Sequence, residues 1–421
     1  MASGALPGFR DFYPAEFAER AHLFSVWRDV ARRFGFVEYD GPPLEPLDLY
    51  TKKSGEEIVG QLYAFTDKGG REVALRPEMT PSLARMVGAR ANALRKPVRW
   101  FSIPQLFRYE RQQRGRLREH FQLNMDILGE PDVTADAELL AAAIGIMQAL
   151  GLTKDDVVAK VSDRRLLNAL LAGIGFTPAL LPAAYAALDK LGRDPQGVLE
   201  ERLTKAGVTA AQATALFGLA HAARDEEAFS ALVSRAGADA EWATVRRYLD
   251  CLRALGVGGW VRLDLSIVRG LAYYTGIVFE LFDAKGELRA ICGGGRYDDL
   301  LGQLGGAAMP ALGFGMGDVV LSELLRDREL MPSGASTLDF WVAFADELDV
   351  KDAMRAAARL RARGRSVEYA LGAQKLARQL KAANAAGARR ALVLKKGEAS
   401  VKDLSEGTEQ TVQLDAWLDA Q

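Results

Sequence analysis

The sequence is poor in cysteine and histidine, and it lacks any long apolar run. Its two cysteines, Cys251 and Cys292, are too few for a disulfide framework and do not have the spacing of a metal site. Three scattered histidines argue against zinc chemistry. No apolar run approaches the roughly 20 residues of a membrane helix, and the N-terminus lacks the basic lead and apolar core of a secretion signal. We therefore expect a soluble, cytoplasmic protein with no membrane span and no metal-ligand cluster.

Length and charge bound the number of domains and the kind of partner. A chain of 421 residues is too long for one ordinary core, so two or three domains are expected. The net charge of −1 argues against binding nucleic acid over the whole surface. Residues 351–396 are nevertheless rich in Lys and Arg, with Asp352 and Glu368 as their acids. This local charge suits a polyanion, although solvated helix faces would also explain part of it.

Hydrophobic periodicity predicts the order of the secondary structure. An amphipathic helix is expected at residues 15–33 and an Ala- and Leu-rich helix at residues 135–150, and a hairpin joins residues 62–65 to 72–75. Ala- and Leu-rich segments predict an inserted helical region at about 160–254. A polar connection near residue 330 precedes a β-α-β-α-β pattern. We expect an α+β fold with one domain at 1–330, which contains the insertion, and a small α/β domain at 335–421.

Residues 266–280, with the sequence SIVRGLAYYTGIVFE, combine an arginine, two tyrosines and two glycines with β-forming residues. Side chains of a strand alternate between its faces, so Tyr273 and Tyr274 share a pocket only if a glycine bends the chain. Arg269 carries a planar fork of donors that matches carboxylate or phosphate oxygens. An exposed arginine beside a tyrosine-lined core explains the same pattern, and the stretch alone leaves both interpretations open.

Polar residues recur at every second position in two strand-like runs, the first beginning at residue 107 and the second ending at residue 126, which are joined by a loop. The first run pairs Arg108 and Glu110 on one side, and the second run places Gln122, Asn124 and Asp126 on one side. An amphipathic surface sheet is the alternative. Charged and amide groups converging from neighbouring strands favour the floor of a polar ligand site.

A similar two-residue spacing predicts that Arg76, Glu78 and Thr80 project together before Pro81 opens a helix.

Glycines alternate with large apolar residues in the segment PALGFGMGD. If the segment is a strand, Leu312, Phe314 and Met316 pack one face while the other face is bare backbone, on which we expect something flat to lie. Further upstream, three consecutive glycines precede Arg296 and Tyr297 and would allow close approach of a ligand, or would simply form a strand edge. Neither segment has the GK[ST] ending of a P-loop or a dinucleotide fingerprint.

Together these segments resemble the histidyl-tRNA synthetases, a family of class II aminoacyl-tRNA synthetases, along nearly the whole chain. GFVEYDGPPLEP resembles the family's first motif, at a dimer interface, and FRYERQQRGRLREHFQLNMDILG resembles its second motif. RGLAYYTGIVFE and CGGGRYDDL resemble the two segments peculiar to the histidine enzymes. The resemblance implies an antiparallel catalytic sheet, a C-terminal domain that reads the anticodon, and a homodimer. It also implies L-histidine, ATP with Mg²⁺, and tRNA(His) as ligands.

The resemblance assigns roles to individual residues of this chain. It implies that Arg108 binds the α-phosphate of ATP and that Arg269 lies between that phosphate and the histidine carboxylate. Two anions must come within bonding distance, so preorganised guanidinium groups are what the transition state requires. The residues implied to bind histidine are Glu78, Thr80, Gln122, Asp126, Tyr273, Tyr274 and Tyr297. Those implied to bind ATP are Arg108, Glu110, Arg116, Phe121, Gly315 and Gly317.

Two positions depart from the common family pattern. Asp126 stands where glutamate is usual, which shortens the side chain by one methylene. The third motif usually ends in an arginine that binds the γ-phosphate, and this chain has Val320 there. A branch of the family that includes organellar relatives resembles the chain at both places. We therefore expect Arg116, together with Mg²⁺, to bind the γ-phosphate.

Two other functions are compatible with parts of this pattern. The regulatory subunit of ATP phosphoribosyltransferase resembles the same catalytic domain, but it usually lacks the anticodon-reading domain and often the arginine that corresponds to Arg269. A paralogue that binds histidine or tRNA without catalysis would explain the loss of the third-motif arginine. Histidine-dependent ATP–pyrophosphate exchange distinguishes the enzyme from both alternatives.

Overall fold

The computed structural model describes residues 4–51, 59–111, 113–222, 226–268, 274–303, 308–332, 338–346, 349–372 and 374–421. Contacts divide the chain into two units. The first unit comprises Met1–Asp11 and His22–Met331, and the second comprises Phe12–Ala21 and Pro332–Gln421.

A mixed sheet forms the centre of the first unit. Its strands are β1 Val37–Glu38, β5 Val98–Ser102, β6 Gln105–Phe107, β7 Glu119–Leu128, β8 Val157–Asp163, β9 Val261–Leu263, β10 Ile277–Asp283, β11 Cys292–Arg296 and β12 Ala311–Gly317. Their order is β1-β5-β7-β12-β11-β10-β8-β9, and β6 pairs with β7. The inner pairs are antiparallel, whereas β1–β5 and β8–β9 are parallel. The α+β class is therefore confirmed, with parallel pairs at both ends of the antiparallel sheet.

A smaller antiparallel sheet contains the predicted hairpin. Its strands are β2 Leu44–Pro46, β3 Tyr63–Thr66 and β4 Glu72–Leu75. The hairpin between β3 and β4 is confirmed, and Gly70 takes a φ of +78° in its turn, a conformation that glycine adopts without strain.

Helices cover the sheet and form the inserted region. The N-terminal helix α1 is Pro14–Arg33. The described helices that follow it in the first unit are α2 Asp48–Thr51, α3 Thr80–Gly88, α4 Val133–Ala149, α5 Arg164–Gly173, α6 Leu181–Lys190, α7 Gln196–Lys205, α8 Ala210–Ala222, α9 Glu226–Ala236, α10 Asp239–Ala254, α11 Leu300–Gln303 and α12 Asp318–Asp327. Helix α4 is buried along most of its length, and it packs in the same core as the apolar side chains of β7 and β12. This core holds the sheet that positions the site.

Three local predictions were wrong. Residues 157–163, assigned partly to the helical region, form β8 and pair with β10; the alternation of buried and half-buried side chains there is that of a strand. The first run of the second motif leaves the strand at Phe107, before Arg108. Thr80 does not continue an extended segment, because α3 begins at this residue with Pro81 in its first turn, where proline's fixed φ favours a helix.

No single helix among the described residues is long and apolar enough to cross a membrane. Two short helices at Arg164–Gly173 and Pro178–Lys190 meet the length and composition test together, but they are bent by 118°. The leucines of α5 are buried in the protein core, as expected for a core helix.

The second unit contains a five-stranded sheet with the predicted alternation of strands and helices. Its elements are β13 Phe340–Phe344, α13 Val350–Ala362, β14 Val367–Tyr369, α14 Leu376–Ala385, β15 Arg390–Lys395, β16 Glu398–Asp403, β17 Glu409–Val412 and α15 Leu414–Asp419. Strand β13 is parallel to both β14 and β15, and β16 and β17 continue the sheet antiparallel. The predicted alternation of strands and helices is confirmed, and the parallel core of β13, β14 and β15 is that of a small α/β domain.

One buried polar side chain connects α14 to β13 in this unit. Gln379 is fully buried; its Oε1 accepts from the Phe344 amide at 3.1 Å, and its Nε2 donates to the Phe344 carbonyl at 2.8 Å. We expect Gln379→Leu to destabilise this unit by about 2 kcal/mol, because the Phe344 amide would remain buried without a partner. Hydrogen exchange of the β13 amides in the full chain measures this loss. The exposed neighbour Lys381 supplies the control: Lys381→Leu should leave β13 exchange unchanged, and equal effects of the two variants would contradict the prediction.

Candidate active site

The glycine face of β12 is covered by two side chains of the neighbouring strand β7. Gly313 lies opposite Asp126 in the register, and a Cβ at Gly313 would lie 2.8 Å from Asp126 Cγ. A Cβ at Gly315 would lie 2.7 Å from Gln122 Cδ. On the other face, Leu312, Phe314 and Met316 are buried in the core. The bare face predicted from the sequence therefore holds the protein's own carboxylate and amide groups.

Two tyrosines lie on the same face of the sheet as Asp126. The Tyr297 hydroxyl donates to Asp126 Oδ1 at 2.5 Å. A Cβ at Gly295 would lie 3.0 Å from Tyr274 Cδ1, so this glycine leaves room for the Tyr274 ring. Both tyrosines are buried, and they pack in one apolar cluster with Leu83 of α3. The structure thus brings Gln122, Asp126, Tyr274 and Tyr297 together on one face of the sheet.

Burial raises the pKa of Asp126 and of a nearby tyrosine. It raises the pKa of Asp126 from 3.8 to about 7, while the hydrogen bond from Tyr297 opposes that shift. Tyr39 lies near the same carboxylate: burial raises its pKa well above 10.0, and the charge of Asp126 raises it further. A carboxyl group that titrates near neutrality beside a phenol hydroxyl can either accept or donate a hydrogen bond. These are the groups that a site for an imidazole ring needs.

The raised pKa of Asp126 predicts a dependence of stability on pH. Because the folded-state pKa exceeds the ordinary value, the folded protein binds this proton more tightly than the unfolded chain, and stability is lost as pH rises from about 4 through 7. A shift of this size corresponds to at most about 4 kcal/mol. We expect Asp126→Asn to stabilise the protein at pH 8 more than at pH 5, because only part of the loss has occurred at pH 5, as measured by urea unfolding at both values. A constant difference between the two proteins would contradict the assignment.

Glu78 and Thr80 lie at the start of α3. Glu78 is buried, and Thr80 is the first residue of the helix. The carbonyl of Pro77, next to Glu78, accepts from Arg108 Nε at 2.9 Å. This contact brings the start of α3 to the end of β6, so the two residues lie between the tyrosine cluster, against which α3 packs, and the arginines of the second motif.

Arg108, Glu110 and Arg116 form a row of charges. Arg108 Nη1 lies 4.0 Å from Glu110 Oε1, and Arg116 Nη1 lies 3.0 Å from Glu110 Oε2. Two guanidinium groups therefore share one carboxylate, which leaves an excess of positive charge for an anion. The Arg108 backbone amide donates to the Arg118 carbonyl at 3.0 Å, so both sides of the second-motif loop position the row.

Phe121 and Gln122 are adjacent in β7, so the positions predicted for ATP and for histidine adjoin. The Phe121 amide donates to Asp318 Oδ1 at 2.9 Å, and its ring meets Phe24 edge-on with centroids 5.3 Å apart. Gly317 immediately precedes Asp318, and no atom lies within 4 Å of a Cβ built on it. The start of α12 is thus fixed against β7, the strand that carries Phe121 and Gln122.

Sequence reasoning missed two ion-pair networks that support the site. Arg10 Nε lies 2.6 Å from Glu119 Oε1, and Arg10 Nη1 lies 2.9 Å from Asp318 Oδ2. Arg296, next to Tyr297, forms a buried ion pair with Asp136 of α4. The partners are more than 100 residues apart in sequence, so no local pattern signals them.

Two predicted residues, Arg269 and Tyr273, lie outside the described residues. Among all the residues that the structure describes, no group of three or more His, Cys, Asp or Glu side chains could hold a metal ion.

Comparisons with known proteins identify the family of the chain. The sequence model of the histidyl-tRNA synthetase family matches residues 8–318. The histidine–tRNA ligase of Opitutus terrae is 44% identical over 97% of this chain and 95% of its own length. The chloroplastic/mitochondrial histidine–tRNA ligase of Arabidopsis thaliana is 40% identical over 97% of this chain and 84% of its own length. The crystal structure of histidyl-tRNA synthetase from Nostoc sp. PCC 7120 has a TM-score of 0.85 at 22% identity, covering 100% of this chain and 99% of its own.

Proposed function

The chain belongs to the histidyl-tRNA synthetase family, and from this premise we propose that its reaction takes place on the face of the main sheet formed by β7, β11 and β12. The protein is a histidine–tRNA ligase: it activates L-histidine with ATP and transfers the histidyl group to tRNA. The regulatory-subunit alternative is not favoured. The observation that carries the location is the 2.5 Å contact between the Tyr297 hydroxyl and Asp126 beside Gln122.

Asp126 and Tyr297 recognise the imidazole ring. Buried donors and acceptors that pair with both ring nitrogens would be left unpaired around another side chain, which is a strong source of discrimination. Tyr274 forms an apolar wall of the same pocket. Gln122, Glu78 and Thr80 hold the α-amino group, and Tyr273 completes the histidine-binding set on the family resemblance alone.

Activation requires two anions to meet. An oxygen of the histidine carboxylate attacks the α-phosphorus of ATP, the bond to the bridging oxygen breaks, and pyrophosphate leaves. Arg108 stabilises the charge on the α-phosphate through its terminal nitrogens, because the bond from its Nε to the Pro77 carbonyl holds the guanidinium in place. Arg269, assigned by the family resemblance, neutralises the carboxylate. In the second step a ribose hydroxyl at the 3′ end of the tRNA attacks the carbonyl carbon, and AMP leaves.

ATP binds along the row of charges and the adjoining strand. Phe121 stacks on the base, Arg116 binds the γ-phosphate, and the backbone at Gly317 leaves room for the nucleotide, whereas the space at Gly315 is taken by the Gln122 side chain. Mg²⁺ would neutralise part of the phosphate charge. It is commonly held by one or two carboxylates together with substrate phosphates, and Glu110 is the carboxylate within the row of arginines.

The second unit reads the anticodon of tRNA(His). Support for this role comes from α14, where Lys375, Arg378 and Lys381 are exposed on and beside the helix. Arg359 of α13 and Arg363, the residue that follows this helix, instead pair with Asp419 and are less available. A basic surface of this kind binds phosphate without sequence preference, so base contacts must supply the specificity.

We also propose a homodimer in the cytoplasm. Val37 and Leu44, on the segment that resembles the first motif, are large apolar residues exposed in the single chain, as expected for an interface between copies. The two cysteines are free, which suits a reducing compartment. Sedimentation equilibrium that showed only a single chain at micromolar concentration would contradict the dimer.

The function is tested by histidine-dependent ATP–pyrophosphate exchange, followed by charging of tRNA(His). We expect both activities from the purified chain, and exchange with no other amino acid at comparable concentration. Exchange without tRNA charging would place the defect in the second step or in tRNA binding. Absence of histidine-dependent exchange would contradict the proposed site and the family assignment of its residues together.

A further inference from the structure

The connection between β10 and β11 brings an arginine to the second-motif loop. Arg289 Nη2 donates to Gln113 Oε1 at 2.6 Å. Gln113 and Arg116 exchange backbone hydrogen bonds of 3.3 and 2.9 Å, so they close a short turn at whose tip Gly115 has a φ of +74°. The contact with Gln113 therefore holds the Arg289 guanidinium beside the tip of this turn.

Val320 lies at the same glycine. A Cβ built on Gly115 would lie 3.2 Å from Val320 Cγ2 and 3.8 Å from Arg289 Cδ. The third-motif position and the Arg289 side chain are therefore neighbours across one residue of the loop. Val320 provides no guanidinium, whereas Arg289, on the connection between β10 and β11, provides one nearby.

The surroundings of Arg289 carry excess positive charge. Its pKa is lowered first by partial burial and then by the charge of Arg116, and Arg193 lowers it further, while Glu110 opposes the shift. Glu110 already pairs with Arg116. Arg114 differs, because it faces the α12 carboxylates Glu323 and Asp327 at 3.4 and 3.6 Å. Arg116 and Arg289 thus lie together with only part of their charge neutralised, an arrangement that a multiply charged anion stabilises.

We propose that Arg289 binds the terminal phosphates of ATP together with Arg116, in the place that Val320 leaves without a guanidinium. The inference rests on the proposed function, which puts the α-phosphate at Arg108. From Arg108 the row of charges runs through Glu110 to Arg116, and Arg289 lies beside the tip of the turn that contains Arg116. A triphosphate extending along this row exchanges the Gln113 contact of Arg289 for charge-assisted hydrogen bonds to phosphate oxygens, which are stronger.

The test measures ATP–pyrophosphate exchange by the full chain with Arg289→Ala. We expect the KM for ATP to rise about 10-fold to 100-fold, as for the loss of a charge-assisted hydrogen bond, with the KM for histidine unchanged. AMP, which lacks the terminal phosphates, should inhibit the variant and the wild type with the same inhibition constant. Arg262→Ala, which removes an exposed arginine on β9, is the matched control and should behave as the wild type.

A structural role for Arg289 makes a different set of predictions. If its only task were to hold the loop through Gln113, then Gln113→Ala would raise the KM for ATP as much as Arg289→Ala, and that result overturns the proposal. An unchanged KM for ATP in Arg289→Ala also overturns it, as does an equal weakening of AMP and ATP. Absence of histidine-dependent exchange in the wild type would instead contradict the proposed function, so the two failures are distinguishable.

Discussion

Gly313→Ala is expected to lower histidine activation by about 100-fold or more, since displacing a binding group by an ångström costs this much in rate. The added methyl group would lie 2.8 Å from Asp126 Cγ and 3.1 Å from the Met125 carbonyl oxygen. The backbone of β7 is fixed by its pairing with β12, so the Asp126 side chain must leave the sheet face and lose its contact with Tyr297. Measured kinetics should show a higher KM for histidine together with a lower kcat.

A second substitution separates this local clash from general unfolding. In the double variant Gly313→Ala/Asp126→Ala the obstructing carboxylate is gone, so the protein should recover the thermal stability of Asp126→Ala while remaining inactive. Gly218→Ala is the control for glycine replacement, because no atom lies within 4 Å of a Cβ at that helical position. A Gly313→Ala variant with wild-type activity would show that the sheet face does not bind the carboxylate as described.

The alternation of residues in β12 predicted its two faces, but it could not predict what lies on the bare one. Period-2 spacing depends only on the backbone of one strand. The occupants, Asp126 and Gln122, come from β7, almost two hundred residues earlier in the chain. Their identity depends on strand order and register, which a single sequence does not reveal.

The same limit explains which residues the sequence analysis missed. Asp126 and Tyr297 were found because each belongs to a segment that resembles a family motif. Arg10 and Arg289 lie outside such segments, and each meets its partner only after distant parts of the chain fold together. The charge and spacing of residues within one segment do not predict such contacts.

Local patterns were most reliable where one element determines its own packing. The strands and helices of the second unit were predicted in the correct order because apolar runs and amphipathic helices alternate there. Residues 157–163 were misplaced because the strand leads directly into α5, whose cap Asp163 is also the last residue of β8. A strand and a helix that share a residue leave no Gly- or Pro-containing turn between them to mark the boundary.

Arg108→Ala is expected to lower kcat for ATP–pyrophosphate exchange by about 100-fold to 1000-fold, as for removal of a preorganised group that stabilises developing charge. Arg108→Lys should recover little of this loss. The Nε of Arg108 donates to the Pro77 carbonyl at 2.9 Å, and a guanidinium can keep this bond while its other nitrogens bind phosphate. An ammonium group is a single point of charge and cannot match both partners in the same geometry.

Calorimetric titration with histidine distinguishes this role from a structural one. Histidine should lose less affinity in Arg108→Ala than in Asp126→Ala, because Asp126 and Tyr297 recognise the imidazole ring directly, whereas Arg108 acts on the histidine site only through the Pro77 carbonyl at the start of α3. The neighbouring exposed residue Arg111 provides the matched control, and Arg111→Ala should exchange pyrophosphate at the wild-type rate in the absence of tRNA. Wild-type kcat in Arg108→Lys would show that charge alone suffices at this position, and wild-type kcat in Arg108→Ala would move the α-phosphate to another part of the site.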